Sequence, residues 1–149
     1  MPNLRIQQPN DDATFEDWQL VHNAIIPSDP LTLEEIRERA QHNLLEVAYL
    51  DTTLIGCTTV RPLTPDSTIT LIVRVLPAHR RQGHGQALYI RALSQAGSQG
   101  ATHLETIILA SNTDGLTFAH SHGFTESETY LPPGDTVPFI TLRRETPTS

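Results

Sequence analysis

Sixteen residues in the middle of the chain constrain its fold more than any other segment: Val73-Arg74-Val75-Leu76-Pro77-Ala78-His79-Arg80-Arg81-Gln82-Gly83-His84-Gly85-Gln86-Ala87-Leu88. The branched apolar residues before Pro77 favour a strand, because such side chains pack well on a pleated surface. Beyond the loop, Leu88, Tyr89, Ala92, Leu93 and Ala96 recur at helical spacing, which predicts a helix over Gly85–Gln99 that Gly100 stops. A strand feeding a helix through such a loop presents free backbone N–H groups and the positive end of the helix dipole. Gly83 and Gly85 let the backbone approach an anion closely and take positive φ where a turn needs it. Arg80 and Arg81 supply charge suited to a pyrophosphate. By itself the glycine pair also fits a plain tight turn.

The flanking pattern narrows the architecture. Leu4–Gln7 alternates as a short strand, and Phe15, Trp18, Val21 and Ile25 predict a helix near Thr14–Ala24. Thr32 with Glu35 forms a capping box, and Leu31 with Ile36 a hydrophobic staple, so a second helix should cover Leu33–Gln41. Leu44–Leu50, Thr53–Arg61 and Thr68–Leu76 read as three hairpin-linked antiparallel strands. After the Gly85–Gln99 helix come a strand at Leu104–Leu109, a short helix at Thr113–His122 and strands at Thr125–Leu131 and Val137–Arg143. The order β-α-α-β-β-β-α-β-α-β-β is that of one mixed α/β domain. Pro9–Asp12 and the tail from Thr146 read as disordered.

Charge and cysteine content exclude several classes of function. The 149 residues carry a net charge of −7, every basic residue is arginine, and one cysteine, Cys57, leaves no disulfide framework or Cys/His zinc set. His120 and His122 splay around their helix, so no metal site is expected there. Residues 1–66 hold eleven acids and four arginines, whereas residues 67–149 hold six of each. This balance argues against a nucleic-acid stripe and a polybasic membrane binder. No apolar run spans a bilayer and the N-terminus lacks the apolar core of a signal peptide, so a cytoplasmic protein is the expectation.

A Rossmann fingerprint would need glycine where Leu88 stands, and a Walker loop would need a lysine. What remains, Arg-x-x-Gly-x-Gly after a strand ending Val-x-Pro, resembles the acetyl-CoA-binding motif of the GNAT superfamily of N-acetyltransferases. Gly100-Ala101, Asn112 and Gly123-Phe124 follow in family order, and the resemblance covers nearly all of residues 1–149. It implies a single GNAT-like α/β (α+β) domain, with about four helices and a mixed central sheet of about six to seven strands that includes a splayed pair. It further implies acetyl-CoA as cosubstrate. Arg80, Arg81, Gln82, Gly83, His84, Gly85 and Gln86 would surround the pyrophosphate, with Gly83 and Gly85 least tolerant of a side chain. Val73, Arg74 and Val75 would run beside the pantetheine arm, which behaves like an added strand, and the Val75 amide or its neighbour would polarise the thioester carbonyl. Asn112 matches a position that contacts the arm, and it also fits a helix N-cap.

The pattern departs from the family at one point of chemistry. Many members place a tyrosine seven residues after the asparagine as proton donor to the leaving thiolate, and here that residue is Ala119. Tyr130 is the candidate replacement as acid, with His120 and Ser121 weaker because they point elsewhere on the helix. Glu105, sharing a strand face with His103 and Ile107, is the candidate base. His84 is read as filler in the loop, Cys57 as a buried hydrophobe, and Trp18 as core or cleft wall.

Two functions follow. The first is an N-acetyltransferase acting on a primary amine of a small molecule or peptide by direct ternary-complex transfer. The alternative is a catalytically weak or inactive acyl-CoA-binding module, one half of a tandem GNAT arrangement among its forms. The negative charge of residues 1–66, on the family's acceptor side, suggests a cationic acceptor. Homodimers are common among proteins of this kind.

Overall fold

The computed structural model describes residues 3–146. Seven strands form one sheet in the order β1-β2-β3-β4-β5-β7-β6. Along the chain these are β1 (Leu4–Gln7), α1 (Asp12–Ile25), α2 (Leu33–His42), β2 (Leu44–Leu50), β3 (Thr53–Val60), β4 (Thr68–Val75), α3 (His84–Ser98), β5 (His103–Leu109), α4 (Thr113–Ser121), β6 (Thr125–Tyr130) and β7 (Phe139–Glu145), with a 3-10 turn at Pro77–His79 before α3. Every neighbouring pair is antiparallel except β4 and β5. The single mixed domain with a splayed pair and four helices is the architecture expected from the sequence.

Local chemistry sets the element ends. Thr32 accepts from the Glu35 N–H at 3.2 Å while Glu35 accepts from the Thr32 N–H at 3.1 Å, and Leu31 and Ile36 are both buried beside them. Asp11 caps α1 in the same way with Thr14, at 2.8 Å and 3.1 Å. This corrects the reading of Pro9–Asp12 as disordered, because the reciprocal bonds occupy donors that a helix start leaves unpaired. The last strand starts two residues later than its pattern suggests: Pro138 has no N–H for the ladder, and pairing with β5 begins at Phe139 opposite Leu109. Of the tail, residues 147–149 lie outside the described residues. Thr146 is anchored, its N–H donating to Thr102 O at 2.9 Å.

A hydrophobic layer covers each face of the sheet. Leu71, Tyr89, Ala92, Ala96, Leu104 and Phe124 pack on the α3/α4 face. Trp18, Val21, Ile36, Val47, Tyr49 and Cys57 pack on the α1/α2 face. Cys57 is completely buried, and burial pushes its thiol up to about 11, which suits packing better than nucleophilic chemistry.

His22 sits at the edge of the second layer, buried and stacked on Trp18 at 5.5 Å. Burial pulls its pKa down from the ordinary 6.5 to about 4; the Arg74 and Arg39 charges act the same way, against a hydrogen bond with Asn23. A depressed folded-state pKa means the unfolded chain binds more protons between these values. The His22 contribution to stability should therefore be complete above about pH 6.5 and be lost as pH falls towards 4. Urea unfolding at pH 7 and pH 4.5 should show a smaller loss for His22→Gln than for the unchanged protein.

Candidate active site

The cleft opens where one ladder stops. β4 and β5 pair only at Thr68–Thr70 with His103–Glu105, and beyond that register they separate. The other edge of β4 stays on β3, with Arg61 N–H donating to Thr70 O at 2.9 Å and Leu76 N–H to Ile55 O at 2.8 Å. Backbone groups alternate sides along an antiparallel ladder. Leu71, Val73 and Val75 therefore turn their backbone towards the gap, while Ile72 and Arg74 turn theirs towards β3. The resulting cavity is about 510 Å³, walled by β4, β5, α4 and the start of α3, with Ile25 and Ile26 at one end.

The loop after β4 is built to leave amides free. Gly83 takes φ +86° and caps α3 without a side chain. The first helical bond runs from Ala87 N–H to Gly83 O at 3.2 Å, so the amides of His84, Gly85 and Gln86 precede it. Arg81, a non-glycine at φ +62°, tightens the same turn. Arg80 braces it by donating from Nε to Val75 O at 2.8 Å and from its guanidinium to Asp114 of α4 at 3.2 Å. Arg81 reaches Asp114 at 3.4 Å, and the two hydrogen bonds hold that carboxyl below its usual range. The fold itself admits a side chain at Gly85: a Cβ there would lie 3.6 Å from Phe118 and 3.8 Å from Val75, which is ordinary contact. Gln82 is exposed in the loop, and the Gln86 carboxamide accepts from His122 at 2.5 Å.

Asn112 is the N-cap of α4. Its Oδ1 accepts from Gly115 N–H at 3.0 Å, capping α4, while the residue lines the cleft. Asn112→Ala should lower stability by about 1 kcal/mol through loss of the cap, read as a fall in Tm.

The proton-transfer candidates are dispersed. Ala119 is in the cleft wall, buried and without a dissociable proton. Tyr130 is 60% exposed on β6 and is not among the cleft-lining residues. His120 lies 3.2 Å from Phe124 O and Ser121 donates to Phe118 O at 2.7 Å, so both are engaged on their own helix and its end. Glu105 sits beside Thr70 and on the same sheet face as Ile72 and Arg74, ion-paired with Arg143 at 3.0 Å. Thr106, Phe118 and Asp114 are cleft residues that sequence reasoning missed. Asp114 carried one signal, an acid in the first turn of a helix, where it complements the dipole.

Among the described residues, no acid of residues 1–66 lines the cleft or the smaller cavity beside it. Arg74, expected beside the pantetheine arm, directs its guanidinium to Cys57 and that smaller cavity on the α1/α2 face.

Known structures share this fold. A protein assigned as a phosphinothricin N-acetyltransferase superposes with a TM-score of 0.79 at 22% identity, over 98% of this chain and 100% of its own. An N-acetyltransferase from Staphylococcus aureus Mu50 gives 0.77 at 18% identity over 97% and 99%. YncA from Salmonella typhimurium, assigned as an acetyltransferase and solved with its cofactor acetyl-CoA, gives 0.75 at 16% identity over 98% and 95%. No curated protein matches the chain. The model of the Acetyltransferase (GNAT) family matches residues 9–124, more than two thirds of the sequence and all of the loop and cleft described above. The chain therefore belongs to the GNAT family of acetyl-CoA-dependent acetyltransferases.

Proposed function

We propose that this protein transfers an acetyl group from acetyl-CoA to a primary amine within a ternary complex. The observation that supports this reading best is the joining of free α3 amides to a cleft edged by unpaired β4 backbone. The pyrophosphate lies against the amides of His84, Gly85 and Gln86, with the Arg80 and Arg81 charges beside it. From there the pantetheine arm descends along Val75 and Val73, whose N–H groups and the Val73 carbonyl give it strand-like partners. The amide that donates to the thioester carbonyl oxygen is that of Val75 or its neighbour. The amine nitrogen bonds to the carbonyl carbon, the C–S bond breaks and the sulfur leaves with the electron pair. One proton must leave nitrogen and one must reach sulfur. We assign the first to Glu105 acting through water, although its carboxylate is paired with Arg143 and lines neither cavity, whereas Ala119 supplies nothing for the second.

A second reading rests on that alanine: an acyl-CoA-binding module with little turnover. Calorimetric titration with acetyl-CoA followed by thiol-release assays over an amine panel separates the two. Binding with thiol release supports the enzyme, binding without release supports the module, and no binding overturns both. Within the enzyme reading, Glu105→Gln should lower the amine-dependent rate by about 10²-fold or more and shift its pH profile. An unchanged profile removes Glu105 from the reaction.

A further inference from the structure

A second cavity of about 180 Å³ opens on the α1/α2 face, lined by Arg39, Asn43, Thr59, Arg61, Ile72 and Arg74. Ile72 and Arg74 also wall the cleft, so the two spaces meet at β4, beside the deeper part of the arm's path. Three guanidinium groups converge here. Among the described residues none of the three forms an ion pair, whereas Arg37, Arg80, Arg81, Arg91 and Arg143 each have a carboxylate. The nearby acid is Glu105, whose charge reaches Arg61 but whose carboxylate is held by Arg143. Like charges gathered around a concavity repel one another unless an anion enters it. Arginine presents a planar fork of donors matched to carboxylate and phosphoryl oxygens, and the Thr59 hydroxyl adds a further donor.

We infer that the acceptor is an amino-acid-like molecule, a small primary amine that also bears a carboxylate, phosphonate or phosphate group, and that Arg39, Arg61 and Arg74 hold this group while the amine reaches the thioester. The inference rests on the acetyl-transfer reading and deepens it. It replaces the cationic acceptor suggested by composition, because among the described residues no acid of residues 1–66 lines either cavity. It also favours small amines over protein N-termini, which carry no oxyanion beside the amine unless a side chain supplies one.

The test uses matched pairs: amino acids beside their decarboxylated amines, and 2-aminoethylphosphonate beside ethylamine. The anionic member of a productive pair should have a kcat/KM at least a hundredfold higher. Arg61→Gln, at the exposed rim, should raise the KM of that member tenfold or more and change the acetyl-CoA Kd less than twofold. Turnover of the decarboxylated amines at equal rates overturns the inference, as does an Arg61→Gln effect on acetyl-CoA of the same size as on the acceptor. A readout independent of turnover is protection against thermal unfolding by inorganic phosphate, which should be smaller in Arg61→Gln. Equal protection in both proteins overturns the anion pocket even if acetyl transfer stands. Failure to bind acetyl-CoA with phosphate protection intact overturns the acetyl-transfer reading and leaves the pocket.

Discussion

Gly83→Val should weaken acetyl-CoA binding more than a hundredfold in calorimetry while leaving a folded protein. Gly83 holds φ +86°, a region in which an L-residue is strained by about 1–3 kcal/mol and a β-branched one most of all. The chain can relieve that strain only by rotating the peptides that begin α3, and this takes the amides of His84, Gly85 and Gln86 out of their common aim. Nothing in the protein lies within 4 Å of a Cβ at this position, so the loss would not arise from disrupted packing. Each tenfold in affinity is about 1.4 kcal/mol, so the expected loss corresponds to more than about 2.7 kcal/mol. Gly97→Ala, in the last turn of α3 with open space around it, is the control: affinity should hold and stability should rise slightly. Unchanged affinity in Gly83→Val would remove the α3 amides from the phosphate site.

Trp18→Ala should cost roughly 3–5 kcal/mol of unfolding free energy, measured by urea denaturation at pH 7. The side chain has no exposed surface, its indole N–H donates to Thr58 O at 3.3 Å, and it stacks on His22. Removal empties the layer between α1 and the sheet, and it leaves the Thr58 carbonyl without that donor. Trp18→Phe keeps most of the apolar volume and should lose clearly less. Because α1 ends in Ile25, on the cleft wall, the loss should also loosen the acceptor side and raise the acceptor's KM more than the Kd of acetyl-CoA. A cost below 1 kcal/mol would mean that α1 is not seated on Trp18.

Much of the fold was legible because its signals are local. The Thr32/Glu35 capping box, the helical stripe from Leu88 to Ala96 and the three Val-, Ile- and Thr-rich runs each involve residues within a few positions of one another. The Asp11/Thr14 cap was equally local but was overlooked, since Asn10, Asp11 and Asp12 together resemble a polar loop. The loop that opens α3 was legible for the same reason: the free amides follow from a strand, a glycine turn and a helix in succession. Legibility ended where chemistry depends on groups distant in sequence. Asp114 meets Arg80 and Arg81 across more than thirty positions, and Arg39 meets Arg61 and Arg74 across α2, β3 and β4.

By itself, the sequence determined the order of elements, the glycine turn from Arg80 to Gln86 that opens α3 and the alanine at position 119, because hydrophobic period, turn chemistry and residue identity act over short stretches. The tertiary structure alone decided which charges line the cavities. Summed over residues 1–66 the charge is negative, yet among the described residues none of those acids lines either cavity, and folding brings Arg39 and Arg61 to Arg74. Electrostatic interaction depends on separation in space, and net charge along a chain does not record it.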